Sequence, residues 1–516
     1  MLRSISRNHG IHGRHGIETE KSPRKDVPQP SNFPEHCCHI RAESVCARVR
    51  AVLWLLGMNM SKYIDDLAAV PNLLKVREDR DVVLLSDCAD GKNFTLLSDS
   101  VLGDKDKDIT VLEVRKRVEP WLTALCQSEH LSLLIGTGLT SAACYAASGG
   151  PVRGMETKPF VSNGTKIAAF AAESAKRAGR GKSNFEDEIR VANELARGLS
   201  ILGKTKESEK LAKEIRKKLS ELVTSLLINE AVLKKDEKGT AWKLVGNFLM
   251  SFATRSGGKD RLGLFTTNYD RVLEETADRV GLRFVDRFVG ALEPIFRSSR
   301  LNVDYHYNPP GIKAEPRYLE GVVRYTKLHG SLDWFQSDER VRKVGIPFGA
   351  KSAEPYLDVA EISNKHEYLI YPNSSKDRDT AEYPYVDLFR DFAASICQPN
   401  STLFTYGYGF GDSHINRIIE DSLSIASTHL VIISYDQADG RVTSFYEKNR
   451  AKSQISLLVG KDLADLANLV NYYLPKPAID VAMWRMAKVV ESRAALEKSG
   501  GSRLKPTASE LSGNDF

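Results

Sequence analysis

Cysteine is scarce in this 516-residue chain and never paired for metal binding. Its seven cysteines (Cys37, Cys38, Cys46, Cys88, Cys126, Cys144, Cys397) are odd in number and none is spaced C-x-x-C. That argues against a structural zinc site. Cys37, Cys38 and His39 lie near His36, but adjacent cysteines in a Pro- and Ser-containing segment are poorly placed for tetrahedral coordination, so no metal is expected. Also missing is any apolar run near the roughly 20 residues of a membrane-spanning helix. With 42% hydrophobic and 27% charged residues, a cytoplasmic globular protein is expected, without membrane attachment. A strong charge excess is lacking too. The net charge is +6, but residues 1–57 hold nine Lys or Arg against five Asp or Glu and supply +4 of it. The remainder is nearly neutral, so composition makes no case for a broad phosphate-binding face or for direct nucleic-acid binding.

The length accommodates one large domain with additions, or two to three ordinary ones. Residues 1–57, with five histidines and no periodic apolar face, read as a disordered extension. Met58 and Met60 directly precede globular-looking sequence, so translation starting at one of them is an expectation for the native product. Residues 58–125 read as a small N-terminal lobe, and 476–516 as a C-terminal helix and flexible Gly/Ser-rich tail. Continuous apolar runs at 131–135, 262–266, 403–406 and 430–434 are each followed by turn chemistry and helix-like sequence. This is the β-turn-α alternation of an α/β fold with a doubly wound, mostly parallel Rossmann-like sheet, spanning 126–475. A polar, helical stretch at about 164–256 is too long for one crossover helix and predicts an inserted helical module. Within it Leu211, Ile215, Leu219, Leu222, Val223, Leu226 and Leu227 form one stripe at helical spacing, read as core packing or as a self-association surface.

Four segments carry chemistry. After the first apolar run stands Gly136-Thr137-Gly138-Leu139-Thr140-Ser141; such glycines let backbone approach a pyrophosphate at a helix start, or merely make a tight turn. The second run ends in Thr266-Thr267-Asn268-Tyr269-Asp270, where Asn268 and Asp270 can face one side as ligand contacts, or Asp270 can cap the next helix. The third, Tyr325-Thr326-Lys327-Leu328-His329-Gly330-Ser331, offers His329 as a general base or as a structural histidine. The fourth places Gly407, Gly409 and Asp412 before a helix, suited to a nucleotide's close approach or to helix capping.

In this order, G-T-G-L-T, T-T-N-Y-D, L-H-G-S and G-Y-G-F-G-D-x-H-I-N resemble the sirtuin-like NAD-binding domain. More narrowly they resemble its bacterial anti-phage defence branch, over about residues 126–440. Asn184-Phe185-Glu186-Asp187 resembles an N-x-E-D motif of that branch, with no mechanical role evident from sequence. The resemblance implies that Gly136, Thr137, Gly138 and Thr140 hold the NAD⁺ phosphates, and that Asn268 and Asp270 sit at nicotinamide and its ribose. It makes His329 the active-site histidine and puts Gly407, Gly409 and Asp412 beside the adenosine half. Gly409 is often serine in relatives, and the four-cysteine zinc module of protein-deacylating sirtuins is missing.

The implied activity is NAD⁺ glycohydrolysis to nicotinamide and ADP-ribose, with Asn268 and His329 catalytic, NAD⁺ as substrate and no metal. A homo-oligomer and a hexameric DNA-translocase ATPase partner are implied as well. The alternatives are an NAD-dependent protein deacylase, a non-catalytic sensor of NAD⁺ or ADP-ribose, and a scaffold for such an ATPase.

Overall fold

A computed structural model describes residues 67, 69–76, 79–150, 158–177, 181–255, 259–299, 303–308, 317–337, 340–359, 367–368, 383–449 and 453–476. All belong to one unit, residues 63–516. The expected extension at 1–57 and the tail from 477 lie outside the described residues.

Nine strands form the central sheet: β1 (Asn72–Lys75), β2 (Val83–Leu85), β3 (His130–Ile135), β4 (Leu262–Thr266), β5 (Arg283–Val285), β6 (Val322–Lys327), β7 (Ser401–Tyr406), β8 (His429–Ser434) and β9 (Ile455–Val459). Their spatial order is β2-β1-β9-β8-β7-β3-β4-β6-β5. Every neighbour pair from β9 to β5 is parallel. The segment expected as an N-terminal lobe contributes β1 and β2, which continue this sheet antiparallel at one edge. Each apolar run read from the sequence is a strand, and β9 (ISLLV before Gly460) carries the same signal.

Alternate residues of these strands enter two different cores, as period-two geometry requires. Leu131, Leu133 and Ile135 pack on one face with α1 (Val111–Cys126), α2 (Gly138–Ser148), the helix Thr240–Ala253 and the helix Val272–Val280. Leu134, Leu403 and Ile432 face the other side, against the helices Tyr385–Ile396 and Ser413–Ser422. Both faces are thus covered by helices, which is why the central strands are apolar throughout instead of alternating with polar residues.

Between β3 and β4 the chain forms α3 (Gly164–Arg177), α4 (Phe185–Ile201) and α5 (Thr205–Lys234), then the helix Thr240–Ala253. The first three share a separate core. Leu211, Ile215, Leu222, Val223, Leu226 and Leu227 are buried in it and Leu219 packs against it, so the stripe is internal packing. Tyr269 and Leu332 join that same core, which brings the insertion against the carboxyl edge of the sheet.

A second, five-stranded sheet includes the antiparallel pair Trp334–Ser337 and Arg340–Lys343. Phe288, Phe296 and Trp334 cluster there with ring centroids 4.7–6.5 Å apart, and the Arg287–Asp391 ion pair lies beside them. The three rings meet edge-on or tilted, a geometry in which aromatic pairs add to their area burial.

Candidate active site

Register places the four motifs at one edge. Ile135 pairs with Thr266 and with Tyr406, and Thr266 pairs with Lys327, so the strands β3, β4, β6 and β7 end abreast. From β3 the chain proceeds to β4 and β6 on one side and returns to β7 on the other. The carboxyl ends of β3 and β7 therefore flank the topological switch point, where open α/β sheets bind ligands.

At that point two backbones are in direct contact. A Cβ on Gly136 would lie 2.3 Å from the Gly407 carbonyl oxygen, and one on Gly138 would lie 2.6 Å from Gly407 Cα. Real Cβ atoms do not approach backbone so closely, so both glycines are required by the β3–β7 junction itself. Their amides are occupied as well: Gly136 donates to the Tyr406 carbonyl at 3.0 Å and Gly138 to the Gly407 carbonyl at 3.2 Å. What this turn leaves open toward an anion is exposed Thr137 and the amino end of α2, which has no side-chain cap.

Thr140, in the first turn of α2, is buried and faces inward. Its hydroxyl donates to Asp270 Oδ2 at 2.8 Å and accepts from Asn268 Nδ2 at 3.2 Å. Asn268 Nδ2 also donates to the Gly136 carbonyl at 3.1 Å. Asn268 is 2% exposed, and its Oδ1 is buried with no hydrogen-bond partner among the described residues. An unpaired buried carbonyl oxygen costs about 1–3 kcal/mol, a penalty tolerated where a ligand supplies the donor. Asp270 Oδ1 accepts from the Val272 amide at 3.2 Å at the start of the following helix, while Oδ2 accepts from the Thr140 hydroxyl.

His329 stands just past the end of β6, after Leu328, and is buried, with its ring centroid 6.3 Å from that of Tyr269. The segments that carry Asn268 and His329 are stitched together by backbone. Leu328 donates to the Thr266 carbonyl at 2.8 Å and Leu332 to the Tyr269 carbonyl at 3.0 Å. Buried Lys327 reaches back to the Asp270 carbonyl and pairs with Glu274 at 3.0 Å. Cys144 stands behind this cluster; burial, with the Asp270 charge, pushes its thiol up to about 12, so it is a neutral thiol and no nucleophile.

The fourth motif forms a loop held by Tyr408, whose hydroxyl donates to Asn416 Oδ1 at 2.9 Å, and by Asn416 Nδ2 bonded to the Phe410 carbonyl at 3.0 Å. Gly407 has φ +61 and belongs to the β3–β7 junction. Gly409 is different: its nearest prospective Cβ contact is Arg441 Nη2 at 3.4 Å, so a Cβ fits. Asp412 precedes the helix Ser413–Ser422 without capping it through its side chain.

Sequence reasoning left Asn184-Phe185-Glu186-Asp187 without a role, and the structure supplies one. Asn184 and Asp187 form a reciprocal capping box at the start of α4, with Asn184 Oδ1 accepting from the Asp187 amide at 2.9 Å. Glu186, between them, accepts the Tyr269 hydroxyl at 2.7 Å. Glu230 of α5 was not anticipated: it is fully buried and holds Arg271 at 2.6 Å. Burial pushes the Glu230 carboxyl up, and the Arg271 guanidinium opposes that shift. Local sequence carries no sign of this pair, because its members lie 41 residues apart.

Residues 263–457 match the family described as SIR2-like domain, which supports a sirtuin-like domain here and an NAD-related function. The match takes in Asn268, Asp270, His329, Gly407, Gly409 and Asp412, and leaves out the turn from Gly136 to Thr140. No curated protein matches the chain. Among the described residues no group of His, Cys, Asp and Glu could hold a metal ion, and no helix is long and apolar enough to cross a membrane.

Proposed function

Starting from the SIR2-like domain of residues 263–457, we propose that the protein is an NAD⁺ glycohydrolase releasing nicotinamide and ADP-ribose. The observation that carries this is the buried, unpartnered Oδ1 of Asn268 beside Thr140 and Asp270 at the switch point. Nicotinamide leaves as a neutral group from a cationic one, so bond cleavage needs no acid. It needs an oriented water and a proton acceptor.

Asn268 is suited to the first task, because its Nδ2 is held by two acceptors and its Oδ1 is left to accept a hydrogen bond from water, ribose or carboxamide. His329 is suited to accepting a proton from water or a ribose hydroxyl. Asp270, fixed by Thr140 and the Val272 amide, would stand at the nicotinamide ribose. For the phosphates, the amino end of α2 with Thr137 is the available positive end, while Gly136 and Gly138 shape the turn. The loop of Gly407, Gly409 and Asp412 would take the adenosine side. The biological task we read from the same resemblance is anti-phage defence by NAD⁺ depletion in a homo-oligomer; an ATPase partner belongs to the alternative scaffold reading.

The test is nicotinamide release from NAD⁺ by the full chain, with His329→Ala and Asn268→Ala alongside. Release by the wild type that drops by about a hundredfold or more in both variants is expected. Release that persists in both variants overturns the assignment. NAD-dependent removal of acetyl groups from a peptide would favour the deacylase instead, and co-purification of an ATPase would support the partner.

A further inference from the structure

The residues from Asn268 to Arg271 alternate between two neighbours. Asn268 and Asp270 bond toward Gly136 and Thr140 of the sheet edge, whereas Tyr269 and Arg271 bond toward the helical insertion. Two different helices of the insertion each present a carboxylate to this loop. Glu186, at the amino end of α4, takes the Tyr269 hydroxyl at 2.7 Å. Glu230, near the carboxyl end of α5, takes the Arg271 amide at 3.1 Å and its guanidinium at 3.1 and 2.6 Å, and also accepts from the Gly349 amide at 3.0 Å.

These two anchors differ in kind. Glu230–Arg271 is buried, bidentate and tied to further backbone carbonyls, so it acts as a fixed pivot. Glu186–Tyr269 joins a half-buried carboxylate to the tyrosine hydroxyl, so solvent reaches this anchor more readily than the buried one and it can open without unfolding the core. Tyr269 also lies between both proposed catalytic groups and the insertion. It follows Asn268 in the chain, its carbonyl accepts from Ser331 and Leu332 beside His329, and its ring faces the His329 ring.

We propose that Glu186 is a positioning residue. By holding the Tyr269 hydroxyl it ties helix α4 to the loop that presents Asn268 and Asp270, so the placement of the helical insertion sets the turnover of the site. This rests on the reading of that loop as the site of NAD⁺ cleavage, and it assigns the N-x-E-D segment two jobs: Asn184 and Asp187 start the helix, and Glu186 connects it to the chemistry.

Three full-length variants test it: Glu186→Ala and Tyr269→Phe each delete the bond, while Glu186→Gln keeps a carbonyl acceptor for the hydroxyl. Hydrogen exchange by mass spectrometry reads the loop independently of activity. Exchange in residues 268–271 should rise by about fivefold or more in the Ala and Phe variants, stay near wild type in Glu186→Gln, and remain unchanged in β7 and β8. In nicotinamide release, kcat should fall about tenfold in the first two variants with KM little changed, and the double variant should be no worse than either single one.

Unchanged exchange in the loop overturns the proposal. So does a rise spread evenly over the sheet, or a Glu186→Gln protein as defective as Glu186→Ala, since each marks a purely structural contact. A wild-type protein that releases no nicotinamide counts against the NAD⁺ cleavage reading alone, because the exchange pattern still decides whether Glu186 holds the loop.

Discussion

Replacing Gly407 with alanine puts the β3–β7 junction to a direct test. A Cβ there would lie 2.6 Å from Gly138 Cα and 3.0 Å from Gly138 N and C, all backbone atoms that cannot rotate away. Gly407 also has φ +61, a conformation that costs an L-residue about 1–2 kcal/mol. Overpacking against fixed atoms adds about 1–3 kcal/mol. We therefore expect a loss of about 3 kcal/mol, read as equilibrium unfolding in urea followed by tryptophan fluorescence. Gly409→Ala is the matched control two residues away, with its nearest contact at 3.4 Å to an arginine side-chain nitrogen and none to backbone within 4 Å. It should change stability by less than about 1 kcal/mol. The same displacement would move the Gly136 carbonyl that holds Asn268, so nicotinamide release should fall in Gly407→Ala. Equal stability losses in the two variants, or a Gly407→Ala protein within about 1 kcal/mol of wild type, would refute the claim that backbone contact demands this glycine.

Two further outcomes follow from the geometry. Thr140→Val keeps the shape of the side chain but deletes both hydroxyl bonds, leaving Asp270 and Asn268 less well held. It should cost about 1–3 kcal/mol in urea unfolding and lower kcat for nicotinamide release, with both restored in Thr140→Ser. His429 provides a pH test: burial, aided by the Lys75 charge, lowers its imidazole to about 4, where it meets Ser456 Oγ at 2.8 Å. The unfolded chain takes up a proton as pH drops below about 6.5 while the folded protein does not until about 4. Its contribution is thus full above pH 6.5 and is lost progressively toward pH 4, by up to about 3 kcal/mol for a fully enclosed ring and less for this partly enclosed one. The stability difference between wild type and His429→Gln should narrow or invert between pH 7.5 and pH 4.5. A constant difference would remove His429 from the account of acid sensitivity.

Much of the fold was legible because buried parallel strands leave an unambiguous mark. The runs that became β3, β4, β7 and β8 are apolar on both faces, and the turns after them carry glycine or compact polar residues. The helical insertion was legible from the stripe along α5. The segment before residue 126 was harder. The short strands β1 and β2 look like those of a separate lobe, and only the pairing of β1 with the sequence-distant β9 shows that they extend the main sheet. The candidate site divides in the same way. Asn268, Asp270 and His329 could be named from residue type and position at strand ends. That Gly136 and Gly138 are pressed against Gly407, and that Thr140 joins Asn268 to Asp270, could not.

The sequence by itself determined the α/β alternation, the edge at which polar side chains gather and the chemical types available there. Those properties are set within a few residues of each other, by periodicity, turn preference and side-chain chemistry. Only the tertiary structure decided which groups share one hydrogen-bond network, which glycines are compelled by contact, and which carboxylates of a distant helical module hold the loop. Glu186 lies 83 residues from Tyr269 and Glu230 lies 41 from Arg271. Local patterns cannot encode such pairings, because the packing of the insertion against the sheet edge is what brings each pair within hydrogen-bond reach.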